Sequence, residues 1–331
     1  MFRAWVIGFF SWTAFAEPSL WIVGQNYVLR SDASGNPASV STAPVESWGF
    51  DSAGCRMWIQ EEGGGLRRFD KAGSVTQSTE KVARILSGTG EGSFLSRSWE
   101  SAERLEIRDA DGKRLRVFDA DWVAQSEQVG WEDRSLGVWS LNVDERARKM
   151  SIIRLDSDFA SAEMRTVAQP FNTFGYRRLL LDPARKFLWI AYTAAPINFP
   201  YAPAVQRHTI AVGPPSLWRS DEKGLSFDGI LDADGSLLLA RDIPSDSGFT
   251  VPFYSYIQRH SPEGVVSTLY QSDINFFIDS LTVDATSIYM VQRSIFGSDG
   301  SFIVRWDREP GQIGKSLFRL PGPARKIFAC H

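Results

Sequence analysis

The side chains in this sequence that could do chemistry are few, and their spacing argues for structural work. The histidines are His208, His260 and His331, and none stands three or four residues from another, as a metal-ligating pair would. His208 falls in a proline-rich insert and is the best single candidate for a functional imidazole. Acidic residues recur at strand ends, at Asp51, Glu132, Asp182, Asp232 and Asp284. Such carboxylates could ring a common channel, but each also precedes a tight turn that needs an acceptor for backbone N–H groups. There is no Gly-x-Ser-x-Gly elbow and no phosphate loop, and Gly63-Gly64-Gly65 sits in a turn before an ordinary strand. No catalytic residue is assigned, no cofactor is expected, and the balance is against an enzyme.

The elements that would position these groups repeat. The phrase from Val28 to Gly35, apolar-Arg-x-Asp-x-x-Gly, returns as Leu66 to Gly73, Leu105 to Gly112, Ile153 to Asp158, Leu217 to Gly224, Ile257 to Gly264 and Ile303 to Gly311. Alternating apolar residues end in an Asp that accepts local backbone hydrogen bonds, and a Gly follows where the turn calls for positive φ. This is a strand running into a hairpin. The Asp slot holds Asp32, Asp70, Asp109, Asp156, Asp221, His260 and Asp307, and the Arg slot is Arg except at Ile107 and Gln258. The expected roles are structural: Asp forms the turn, His260 takes its place once, and Arg partners a neighbouring strand or unit.

A second phrase precedes most copies. Gly49-Phe50-Asp51 leads to Met57-Trp58-Ile59, Leu180-Leu181-Asp182 to Phe187-Leu188-Trp189-Ile190, and Leu281 to Asp284 to Ile288-Tyr289-Met290-Val291. Short β-branched and aromatic runs bounded by Gly, Asp, Ser and Pro are strands. One unit therefore reads strand A ending in an acid, strand B, strand C ending in the Arg-x-Asp phrase, and strand D. Four strands repeating at about 40 to 50 residues mark a β-propeller, whose blades bury one another's faces. The expected fold is all-β, a seven-bladed β-propeller of four-stranded blades spanning 17–331. The first unit lacks strand A, and Pro323 to Cys330 echoes Pro183 to Leu188. The tail is expected to pair into the first blade and close the ring.

The passages Leu231 to Asp242 (LDADGSLLLARD), Val283 to Ser294 (VDATSIYMVQRS) and Leu181 to Tyr192 (LDPARKFLWIAY) resemble the strand A to strand B passage of NHL-type and related secreted β-propellers. The resemblance is one of fold and covers residues 19–331. It lacks the WD dipeptide with its Gly-His partner and the Kelch double glycine. Ser220 to Phe227 resembles a sialidase-type Asp-box, with Glu222 where Asp is expected. Some propeller lactonases of the gluconolactonase type hold a divalent metal near the axis with Glu, Asn and Asp. The resemblance thus implies a second hypothesis, a metal-dependent hydrolase or lyase at the channel mouth with an ion such as calcium, although the Asn–Asp pattern of that site is not found.

The N-terminus reads as a secretory signal over 1–16: Arg3, an apolar core from Ala4 to Trp12, and Ala14-Phe15-Ala16 before Glu17. The apolar run is shorter than the ~20 residues of a spanning helix, so no stable membrane insertion is expected after cleavage. The expected protein is exported, periplasmic or extracellular, and monomeric. With 36 basic and 39 acidic residues in 331 and no basic cluster, nucleic acid is not an expected partner. Export permits a disulfide. Cys330 in the first blade and Cys55 at the A–B corner of the second would staple neighbours; the alternative is two separate buried thiols.

Blades differ most between strands B and C. In blade 5 this connection is expected from about Thr193 to Pro215, in blade 6 from Asp242 to Phe253 and in blade 7 from Ser294 to Ser301. Long loops on one face are functional more often than not, and these carry Phe199, Tyr201, His208, Phe249, Phe253, Tyr254 and Phe296, with Phe276 and Phe277 in an adjoining link. They are expected to bind a protein or envelope ligand. A competing assignment makes Gln206 to Gly213 strand C of blade 5 and Ser216 to Asp221 strand D.

Overall fold

Apolar runs between turn formers fold as strands throughout. The computed structural model describes residues 19–32, 35–52, 54–88, 92–119, 126–130, 138–144, 149–155, 162–167, 172–182, 184, 187–195, 201–209, 216–219, 224–243, 254–273, 275–296, 300–309 and 313–330. The signal-like segment 1–16, Glu132, Phe199, Phe249, Phe253 and His331 lie outside the described residues.

β1 (Leu20–Gly24), β2 (Val28–Ser31) and β3 (Pro37–Ser41) begin the first sheet. A second, seven-stranded sheet holds β4 (Val45–Asp51), β5 (Arg56–Glu61), β6 (Gly65–Phe69), β7 (Val75–Gly88), β8 (Phe94–Ser98), β9 (Arg104–Arg108) and β10 (Arg114–Asp119). The third has β11 (Ser126–Gly130), β12 (Val138–Asp144), β13 (Lys149–Leu155) and β14 (Ala162–Val167). The fourth has β15 (Asn172–Asp182), β16 (Phe187–Ala195), β17 (Ala202–Thr209) and β18 (Ser216–Arg219). The fifth has β19 (Ser226–Leu231), β20 (Leu237–Ile243), β21 (Tyr254–His260) and β22 (Val266–Gln271). The sixth has β23 (Phe276–Val283), β24 (Ile288–Ser294), β25 (Ser301–Trp306) and β26 (Lys315–Arg319). Finally β27 (Ala324–Ala329) returns to β1, with Leu20 opposite Ala329 and Ile22 opposite Ile327. The described residues thus form an all-β protein of six antiparallel sheets.

The seven-stranded sheet arises because β7 serves twice. Its first half pairs with β6, Val75 opposite Phe69, and its second half with β8, Gly88 opposite Phe94. The second half also lies against β4, where Ile85 N donates to Ser47 Oγ at 2.8 Å.

Core layers sit between consecutive sheets. Trp139, Leu141 and Ile152 pack on Leu181 and Ile190 between the third and fourth, and Leu238 and Ile257 pack on Ile278 and Met290 between the fifth and sixth. Tyr289 and Ile303 of the sixth pack on Leu20, Ile22 and Ile327 of the first. Second strands are covered on both faces, so Met57-Trp58-Ile59 and Leu237 to Ala240 are wholly buried. This is why they read as continuous apolar runs.

The Asp-x-x-Gly phrases are turns, as expected. Asp70 Oδ1 accepts Ala72 N and Ser74 N at 2.9 Å each, and Gly73 takes φ 86°. Asp109 repeats this with Asp111 N and Lys113 N, also at 2.9 Å. The Arg slot has an explanation in register. Arg30 faces Trp21, Arg68 faces Trp58, Arg154 faces Trp139 and Arg305 faces Tyr289 across the second and third strands. Of the two exceptions, Ile107 faces Leu95 and Gln258 faces Leu239, where there is no ring to cover.

Two expectations are corrected. The fourth sheet follows the competing assignment: β17 is its third strand and the Leu217 phrase lies on its fourth, so the long loop of blade 5 shrinks to 196–201. Arg207 then fills the Arg slot opposite Trp189. His260 is not the turn former of the sixth copy; the turn is shifted by one, and Ser261 Oγ accepts Val265 N at 3.2 Å. His260 instead packs edge-on against Trp218, ring centroids 4.4 Å apart, and burial pushes its pKa down to about 4.

Candidate functional site

The connections between second and third strands emerge at the same end of the sheets as the links from one sheet to the next. Hydrogen bonds lace the two sets together. Ile295 N donates to Asn275 O at 3.0 Å, tying the 295–300 loop to the link between the fifth and sixth sheets. Ser272 N donates to Ser255 O at 2.8 Å, and Ser255 N to Ser272 Oγ at 3.0 Å. Ser255 Oγ in turn accepts Ile278 N at 3.3 Å. On the neighbouring link Gly224 N donates to Tyr201 O at 2.9 Å, and Ser226 N to Thr193 Oγ1 at 2.9 Å.

These bonds place four of the sequence candidates, Tyr254, Phe276, Phe277 and Phe296, on one rim over the fifth and sixth sheets. Phe296 is 62% exposed, and the other three are partly buried. Phe277 is held on two sides. Its ring meets Phe227 edge-on at 5.4 Å between centroids, and the Arg293 guanidinium lies 4.8 Å from its centre. Arg293 is itself fixed by a two-pronged pair with Asp279, at 2.7 and 3.0 Å, the bidentate geometry favoured by guanidinium and carboxylate. Tyr201 sits at the edge of the same face, beside the link to the fifth sheet.

His208 does not join them. It lies six residues into β17, about 20 Å from the loop end at the rise of a strand, and is buried with Nε2 3.1 Å from Gln206 Oε1. Gln206 Nε2 donates to Tyr192 Oη at 3.0 Å. The reading of His208 as a loop residue is therefore corrected.

The strand-end acids lie at the opposite end of the sheets. Asp284 Oδ1 accepts Thr286 N at 2.7 Å and Ser287 N at 2.6 Å, and its Oδ2 accepts Tyr289 Oη at 3.1 Å. Asp232 pairs with Arg308 at 2.7 Å, and Asp51 Oδ1 accepts Gly54 N at 3.1 Å. Asp51, Asp232 and Asp284 thus do the turn work their positions called for. Among the described residues no three His, Cys, Asp or Glu side chains are grouped closely enough to hold a metal.

Two charged features were not visible in the sequence. Asp242, at the foot of the rim, is fully buried; Oδ1 accepts Leu225 N, while Oδ2 has no partner among the described residues. Burial pushes its pKa up to about 7, against the pull of the Leu225 N–H and Arg241. The second is a buried ion pair, Asp228 with Lys326, between the first strands of the fifth and first sheets.

No family model matches this chain, and no curated protein does. Among solved structures it is similar to a crystal structure of a protein from Lactobacillus plantarum. The two are 11% identical over 95% of this chain and 99% of the other, with a TM-score of 0.53. At that identity the likeness is one of fold alone.

Proposed function

We propose that the chain is an exported seven-bladed β-propeller that captures a protein or envelope ligand with the loop face of its last three blades. Six sheets become seven blades when the second is counted as two that share β7. Pairing of β27 with β1, and the core between the sixth and first sheets, support a closed ring. The disulfide that joins Cys55 to Cys330 fits an oxidising compartment. The observation that carries the binding reading is the rim: Tyr254, Phe276, Phe277 and Phe296 brought to one end and pinned there by backbone hydrogen bonds. Preordered aromatic groups bind with little entropy loss.

The test is crosslinking of the purified protein to envelope extract, beside Phe296→Ala and Tyr254→Ala. Loss of the same crosslinked species in both variants supports the reading; capture unchanged in both would sink it. The metal-dependent hydrolase is the second reading. Elemental analysis with and without chelator tests it directly, since one tightly held divalent ion per chain would move the site to the axis.

A further inference from the structure

We infer that the inner strands build a second site, for a small oxyanion, in which Lys326 and Arg178 are the donors. This rests on the propeller reading, which puts the first strand of every sheet on the axis. Asp228 on β19, Ser280 on β23 and Lys326 on β27 meet there, joined by side-chain bonds from three different sheets. Arg178 on β15 belongs to the next sheet round.

The Asp228 carboxylate accepts four hydrogen bonds. Oδ1 accepts Gly229 N at 2.9 Å, and Oδ2 accepts Ser280 Oγ at 2.9 Å, Leu281 N at 2.9 Å and Lys326 Nζ. None of these bonds comes from Arg178. Burial alone would raise its pKa, but Lys326 and then Arg178 hold it below its ordinary value. Arg178 is thus within electrostatic reach of the pair yet is not its partner, and among the described residues its buried Nε has no hydrogen-bond partner.

The donors are in surplus. An ammonium offers three N–H groups and a guanidinium five; Lys326 spends one on Asp228. Among the described residues two cations, Lys326 and Arg178, stand near this one carboxylate, an excess of one positive charge where burial penalises charge. The same imbalance is felt by Lys326, which burial and then Arg178 push down to about 8 despite Asp228. A carboxylate or phosphate group bridging Lys326 and Arg178 would neutralise the cluster with charge-assisted hydrogen bonds. It would also link the fourth sheet to the first across the axis.

The experiment is thermal unfolding of the mature protein at low ionic strength with acetate, succinate, citrate or inorganic phosphate, each against chloride of equal ionic strength. At least one anion is expected to raise Tm by about 3 °C or more beyond chloride, an increment within the range a bound ligand gives. Phosphate alone would mark a phosphate-bearing ligand, and carboxylates alone a carboxylate. Arg178→Gln should abolish the increment while keeping the fold by circular dichroism, and the charge-neutral pair Asp228→Asn with Lys326→Met provides a second variant expected to lose it. If no anion exceeds chloride, or the increment survives in either variant, the site is refuted. Phe296→Ala should retain the increment in full, so failure of the anion site and failure of the rim are read separately.

Discussion

Cys55 and Cys330, separated by 275 residues in the chain, are joined by a disulfide with their Cα atoms 5.1 Å apart. One lies at the corner between β4 and β5, the other just after β27, and both are buried in the core shared by the first and second sheets with Trp21, Met57 and Phe69. The bond closes nearly the whole chain into one loop. Loop-closure entropy puts its effect near the upper end for disulfides, about 5 kcal/mol. Cys330→Ser, or reduction of the wild type, should lower the urea midpoint strongly, and an unchanged midpoint would show that the two thiols merely pack side by side.

Asp242 should make stability depend on pH. Its folded pKa of about 7 lies above the ordinary 3.8, so the folded state holds a proton that the unfolded state has released. Its contribution is fully present below pH 3.8, is lost as pH rises to about 7, and is flat beyond. Asp242→Asn should remove this slope and be relatively most stabilising above neutrality. Urea midpoints of both proteins at three pH values between 4.5 and 8.5 check it; parallel curves would contradict the assignment.

Lys326 and Asp228 should show strong coupling. Removing one member leaves the other charge buried, at a cost of about 3–5 kcal/mol. Asp228→Asn and Lys326→Met should each be that damaging alone, while the double variant should lose much less than their sum. Denaturant melts of the four proteins suffice, and additive losses would mean the pair is not a unit.

Gly88 is where β7 runs closest to β4. A Cβ there would meet Phe50 O at 2.5 Å and Phe50 N at 2.8 Å, both backbone atoms that cannot swing aside. Gly88→Ala should therefore destabilise by more than about 3 kcal/mol, well beyond an ordinary surface change. Retention of the wild-type melting point would show that the two strands can part without loss.

Phe296, by contrast, is expected to matter for capture and not for folding. Its ring is largely exposed, so Phe296→Ala should shift stability by no more than about 0.5 kcal/mol while weakening partner crosslinking. A large drop in Tm would instead make the ring part of the core.

Strand content and repeat length were legible because both are local: Met57-Trp58-Ile59 or Leu237 to Leu239 can be recognised without knowing what covers them. The return of the tail was legible from the missing first strand of the first unit and from the echo of Pro183 to Leu188 in Pro323 to Cys330, although that echo leads into a second strand, β16, while the tail takes a first-strand place beside β1. The fourth sheet was harder because Gln206 to Thr209 and Leu217 to Arg219 both alternate like a third strand, and only register decides between them. The partners of Arg30, Arg68 and Arg154 are also facts of register. Asp228 and Lys326 stand 98 residues apart within ordinary strands, and no spacing rule links them. The rim aromatics read as loop and link residues in the sequence, but only Phe296 is one; Tyr254 opens β21 and Phe276 and Phe277 open β23, and the bonds that pin them involve backbone groups and small serines that carry no composition signal.

The pairing of Leu20 with Ala329 also sets a timetable. β1 leaves the ribosome well before β27, which lies about 300 residues later in the chain. At about 5–20 residues per second the wait is roughly 15 to 60 s. Throughout it Trp21, Ile22 and Val23, all buried in the finished protein, lie along an open strand edge of the kind that recruits other chains. The nascent protein therefore needs shielding along β1 until β27 has been made.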